Sequence, residues 1–163
     1  MKRLTGLLLA AVIGGSLTAA SCDGEKTVTE PGDKTTEQSV VALTTVVQRS
    51  IPGGSGGTVR EVIRDQAAWA AIWQDLGLEG APPDVDFAQE MVVVAAMETQ
   101  SCVSKVTIRS IFEQGGELAV DILEAPPAPN CICITAERPI HIVRLRKVNA
   151  PPRYNVEKGL TSC

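Results

Sequence analysis

The chain has 163 residues, a formal net charge of −4, 44% apolar residues and only 3% aromatic ones. That length supports one domain with a hydrophobic core built from Val, Ile, Leu and Ala rather than from rings. The acidic balance excludes a general electrostatic attraction to nucleic acid, so no nucleic-acid partner is expected.

Taken in chain order, the first feature is an export signal. Lys2 and Arg3 form a positive start, Leu4 to Ile13 an apolar run, and Gly14 to Ser21 a stretch dominated by small residues. The run is short for a membrane-spanning helix, which needs about 20 apolar residues. Leu17-Thr18-Ala19-Ala20-Ser21-Cys22 is similar to a lipobox, in which the cysteine thiol is acylated and the chain is cut just before it. Residues 1–21 are therefore expected to be a lipoprotein signal peptide and Cys22 a lipid attachment site. The protein would then be anchored to a bacterial membrane in the cell envelope, periplasmic or surface-facing. A position-19 residue larger than Ala19 is commoner in such motifs, and cleavage after Ala20 with simple secretion is the alternative. Loss of Lys2 and Arg3 with the signal takes the formal charge from −4 to −6.

Residues 22–39 form the next segment. From Asp23 to Ser39 the chain is rich in Thr, Glu, Asp and Lys and nearly free of large apolar side chains. Such a stretch buries too little surface to order itself and reads as a disordered tether.

A single globular domain is expected over residues 40–163. Val40–Gln48 reads as a strand, Ile51–Gly57 as a breaker-rich loop and Thr58–Ile63 as a short strand. The glycines of that loop are followed by neither Lys-Ser/Thr nor a helix, so a phosphate cradle is not indicated. One helix follows. Asp65 is placed to cap it, Trp69, Ile72, Trp73 and Leu76 fall on one face, and Gly77 stands where a helix stops. After a turn at Pro82-Pro83-Asp84, the unbroken apolar run Met91–Met97 suits a central strand covered on both faces. Lys105–Phe112 alternates, placing Val106, Ile108 and Phe112 on one face. Gln114-Gly115-Gly116 turns the chain, and Leu118, Val120 and Ile122 alternate again, as in a hairpin. A proline-rich loop, Ala125–Pro129, precedes two more expected strands, Cys131–Ala136 and Ile140–Val148, separated by Pro139. The fold class is thus α+β, mainly antiparallel β, with one amphipathic helix packed on a β-sheet or small β-sandwich.

Cys102, Cys131, Cys133 and Cys163 make an even set in an exported chain, which implies two disulfides. Cys131 and Cys133 are two apart in an expected strand, about 6.5 Å between Cα atoms, which is unfavourable for a mutual bridge. Either Cys102 pairs with Cys131 and Cys133 with Cys163, or Cys102 pairs with Cys133 and Cys131 with Cys163. The alternative use of this cluster, with His141, is a soft-ligand site for Zn²⁺ or Cu⁺ in a small-ligand or metal-binding lipoprotein. No CxxC pair is present and an oxidising compartment favours bridges, so neither metal nor cofactor is expected. His141, the one histidine, lies in a strand pattern with Val143 and Leu145 and reads as structural. No Ser-His-Asp set stands out. Asp84, Asp86 and Glu90 read as turn and capping residues, and the basic residues of the C-terminal part, from Arg138 to Lys158, as a solvated face. No catalytic residue is assigned, and the chain is not expected to be an enzyme.

The order of these features carries a resemblance. A helix bearing Trp69 and Trp73, then Pro83-Asp84-Val85-Asp86-Phe87, the apolar strand Met91–Met97, an alternating hairpin, a proline-rich loop and Pro139-Ile140-His141-Ile142-Val143 together resemble the C-terminal domain of the PrcB-like proteins. These are small exported bacterial proteins named for a lipoprotein subunit of a surface protease complex. The resemblance spans roughly residues 58–157. Where that family carries a glycine-rich turn with an aromatic, this chain has Thr99-Gln100-Ser101-Cys102-Val103-Ser104. What the resemblance implies is a non-catalytic accessory or binding module whose partner is an envelope protein, a protease in the founding case.

Overall fold

A computed structural model describes residues 38–163. The signal, Cys22 and all but the last two residues of the expected tether lie outside the described residues.

The described chain is mostly antiparallel β-sheet with a single helix. Its elements are β1 (Ser39–Val40), β2 (Leu43–Pro52), β3 (Val59–Ile63), α1 (Gln66–Asp75), β4 (Glu90–Ala96), β5 (Gln100–Ser101), β6 (Lys105–Gln114), β7 (Glu117–Ala125), β8 (Ala136–Arg146) and β9 (Pro152–Lys158). One sheet runs β1-β6-β7-β9. The other runs β2-β8-β4-β3, with β5 added to β8. β9 lies parallel to β7, while the other pairings are antiparallel.

The expected strand Val40–Gln48 is two strands. β1 pairs with β6 in one sheet and β2 with β8 in the other. The chain crosses between sheets at Val41, which is 2% exposed and whose N–H donates to the Ile111 carbonyl. An apolar, β-branched run shows strand propensity but not which sheet its halves join.

β6 and β7 form the expected hairpin, closed by Gly115 and Gly116 with φ of 60° and 81°. Both central residues of a type I′ turn need positive φ, which glycine adopts without steric cost. The face assignment of β6 is corrected. A bulge between Ile108 and Ser110 inserts Arg109 as an extra residue. Alternation therefore shifts by one, and Ile111, not Phe112, joins Val106 and Ile108 in the core.

β8 also differs from expectation. Ala136–Arg146 is one continuous strand, so Pro139 does not break it, and Cys131–Thr135 is loop rather than strand. The Pro139 carbonyl accepts from Met97 N–H, so the side from which proline lacks a donor is where β4 has already ended at Ala96.

β4 is buried from Met91 to Ala96 because both its faces are covered. Met91, Val93 and Ala95 share a cluster with Val106, Ile108, Ile111, Leu118, Val120 and Ile122 of the other sheet. Val92, Val94 and Ala96 share a second cluster with Trp69, Ile72, Trp73 and Leu76 of α1. The helix is set as its sequence demands. Asp65 accepts from Ala68 N–H at 2.8 Å, and the far end closes with Gly77 N–H to the Gln74 carbonyl and Leu78 N–H to the Trp73 carbonyl.

Candidate functional site

Several of the chemically suggestive residues have identifiable structural tasks. Trp69 and Trp73 meet edge to face, 5.1 Å between centroids, and their indole N–H groups donate to the Pro83 and Gly80 carbonyls. They anchor the helix and offer no ring face to a ligand: Trp69 is fully buried and Trp73 is 6% exposed. Asp86 accepts from Ala88 N–H within its turn, and Glu90 pairs with Arg144.

His141 is 3% exposed and satisfied on both ring nitrogens. The Ile108 N–H points at Nδ1, 2.8 Å away, so Nδ1 accepts and the proton sits on Nε2, which lies 3.2 Å from Thr45 Oγ1. Ile108 immediately precedes the bulge of β6, and Thr45 that of β2. The imidazole thus joins three strands from the two sheets. Burial, and then the nearby Lys105 charge, hold its pKa below the usual histidine value.

Arg138 corrects the reading of the basic residues as a solvated face. It is 1% exposed. Its guanidinium donates to the carbonyls of Ser55, Gly57 and Asp75, the last at the end of α1, where the helix presents partial negative charge. The glycine-rich loop is a cradle for this arginine, built from carbonyls rather than from anion-binding N–H groups. Glu124 on β7 is the complementary case. It is held by Arg60 of β3, at 2.5 Å, and by Lys158 of β9. Burial alone would raise its pKa, but hydrogen bonds from Lys158 and Arg60 lower it below the usual carboxylate value.

The cysteines define the candidate site. Cys102 is bridged to Cys133 and Cys131 to Cys163, with Cα separations of 5.1 and 5.4 Å. This is the second of the two pairings open from the sequence. The bridges consume the sulfurs that a metal site would need as thiolates, and the described residues contain no group of three or more His, Cys, Asp or Glu placed to hold a metal ion.

The bridges gather three segments onto one rim: residues 102–104, the loop 126–135 and the C-terminal residues 159–163. Hydrogen bonds reinforce them. Thr161 Oγ1 donates to the Val103 carbonyl at 2.6 Å, Thr161 N–H to Pro126, and Ala128 N–H to Thr161. The loop they hold lies open to solvent, with residues 132–136 all exposed, Cys133 among them. Ile132 and Ile134 are 96% and 102% exposed, and Val103 and Leu160 on the neighbouring segments are more than half exposed. The rim is therefore covalently fixed, apolar and open to solvent. Fully burying one such isoleucine against a partner would contribute about 1.5–3 kcal/mol.

Sequence reasoning identified the cysteines of this rim but not its isoleucines, which the strand reading of Cys131–Ala136 absorbed. The available signal was Cys-Ile-Cys-Ile directly after a proline-rich loop, with cysteines committed to bridges and no sheet partner within reach in sequence. Cys22, the expected lipid site, lies outside the described residues. Among the described residues no helix is long and apolar enough to cross a membrane. The chain matches no family model, no curated protein and no solved structure.

Proposed function

We propose that this chain is a non-catalytic lipoprotein, anchored through an acylated Cys22 in the bacterial envelope, whose domain is a protein-binding accessory module. The reading takes the fold as a small two-sheet sandwich with α1 on the outer face of one sheet. The observation that carries it is the rim, where Ile132 and Ile134 stand in solvent on a loop held by two disulfides. An apolar surface of this kind is costly to leave exposed and is the usual mark of a contact site. Rigidity adds to its value, because a loop already fixed loses little entropy when a partner covers it. The partner is an envelope protein with an apolar patch of its own, and the resemblance to PrcB-like proteins makes a protease the first candidate. The lipobox-like segment and the polar stretch after it support the tethered placement.

Mild cross-linking of tagged full-length protein in intact envelopes, followed by mass spectrometry, tests this. A specific envelope protein should be captured by the wild type and lost from Ile132→Asp/Ile134→Asp, which leaves both bridges in place. Equal capture by the double variant, or no specific capture by the wild type, would overturn the rim as the contact surface.

A further inference from the structure

A second surface lies on a different part of the domain. β3 is the last strand of its sheet and pairs only with β4. Among the described residues its outer side carries no backbone partner. The helix follows three residues later, and between strand and helix runs an open groove of ≈ 430 Å³ lined by Val59, Glu61 and Ile63 of the strand and by the helix from Ala68 to Asp75.

Three properties of this groove converge. One wall is β3, whose free edge beside the groove offers N–H and C=O groups at strand spacing. The side chains Val59, Glu61 and Ile63 lie on one face of β3, because successive strand residues alternate. Small residues, Ala68 and Ala71, line the helix wall and leave room for another chain's side chains. The groove is also acidic. Glu61 and Asp75 line it, and among the described residues neither side chain makes an ion pair or hydrogen bond.

We propose that the groove takes an extended segment of a partner protein, which adds to β3 as an edge strand and carries the pattern apolar-x-basic-x-apolar. The two apolar side chains lie opposite Val59 and Ile63 against the flank of α1. The basic side chain between them lies opposite Glu61, with Asp75 beside it. The pattern is symmetric, so it serves either strand direction. Main-chain hydrogen bonds would supply most of the affinity and the side-chain pattern the selectivity. This inference stands apart from the rim reading, since it uses neither disulfide nor any rim isoleucine.

Fluorescence anisotropy with the full-length protein tests it, using a labelled, acetylated and amidated peptide Thr-Val-Thr-Lys-Thr-Val-Thr. Saturable binding is expected, reduced about tenfold or more when Glu replaces the peptide Lys, or in the Glu61→Lys/Asp75→Lys variant. N-methylation of alternate peptide nitrogens should abolish binding in the register that blocks the bonds to β3. Ile132→Asp/Ile134→Asp should bind the peptide as wild type does, which separates this surface from the rim. Circular dichroism confirms that the charge variants are folded. No saturable binding, equal binding of the Lys and Glu peptides, or no effect of N-methylation in either register would overturn the proposal. So would sedimentation showing that the groove is closed by a second copy of this chain.

Discussion

At the scale of single residues, two buried ionisable groups set how the domain responds to acid. His141 is held neutral, because its Nδ1 accepts from Ile108 N–H and a second proton there would face another donor. Its folded pKa is lowered, while in the unfolded chain it is near 6.5. Below about pH 6.5 the unfolded state therefore binds a proton that the folded state refuses, and stability falls as pH drops toward the folded value. Urea unfolding at pH 7.5, 6.0 and 5.0 should show this loss. In His141→Leu the loss over that window should shrink, while stability at pH 7.5 drops by about 1–3 kcal/mol because Ile108 N–H is left unpaired. Glu124 acts in the same sense at lower pH. Its lowered pKa means that its contribution is present above the usual carboxylate value and is lost as pH falls through the folded one. The third residue is Arg138. A Cβ on Gly56 would lie 2.7 Å from the guanidinium carbon, at a φ of +127° that L side chains rarely adopt. Gly56→Ala should thus destabilise by about 1–3 kcal/mol in thermal or urea unfolding. Gly57→Ala, where a Cβ meets nothing within 4 Å, should cost much less.

At the scale of elements, the bridges and the helix have separable roles. Each disulfide closes a loop of similar length, with sequence separations of 31 and 32. On the chain-entropy account, losing either costs about 3–4 kcal/mol. Cys131→Ser/Cys163→Ser has a further local effect, since that bridge holds the end of the chain where Thr161 hydrogen-bonds to Pro126 and Val103. Hydrogen exchange should increase across residues 126–135 and 159–163 before it increases in β4 or β8. Equal acceleration throughout the domain would show that the bridge stabilises the whole and not the rim. In the helix, Trp69 is fully buried and packs on β4 and β8, so Trp69→Ala should cost about 3–5 kcal/mol.

At the scale of the whole molecule, both ends of the described chain flank one sheet. β1 covers part of β6, and β9 covers β7. Removing residues 152–163, with Cys131→Ser to avoid a stranded thiol, would expose the edge of β7 and take Tyr154 and Val156 off the core. A nine-residue edge left without its partner strand invites pairing with other chains. The truncated protein should aggregate on refolding at concentrations where the full chain stays monodisperse, as light scattering would show. The same logic explains why β9, which carries Arg153, Glu157 and Lys158, makes a tolerable edge: Arg153 pairs with Glu117, and Glu157 with Arg109.

The sequence alone determined the features whose signals are local. The helix was legible with both ends, since a cap, a four-residue apolar face and a stop glycine lie within 13 residues. The hairpin turn, the buried character of β4 and the use of the four cysteines in two bridges were legible for the same reason. Tertiary structure decided the rest. Which sheet each half of residues 40–52 joins depends on partners about 70 to 100 positions away. The bulge that replaces Phe112 by Ile111 arises from register against β7, and a one-residue slip reverses every face after it. The cysteine pairing, the strand through Pro139 and the burial of Arg138 rest on which segments meet across the domain. The exposed rim belongs with them, because the bridges hold residues 131–135 as a loop with no sheet partner to cover Ile132 and Ile134. Periodicity reports the environment of a side chain along its own strand or helix. It carries no information about which distant segment supplies that environment.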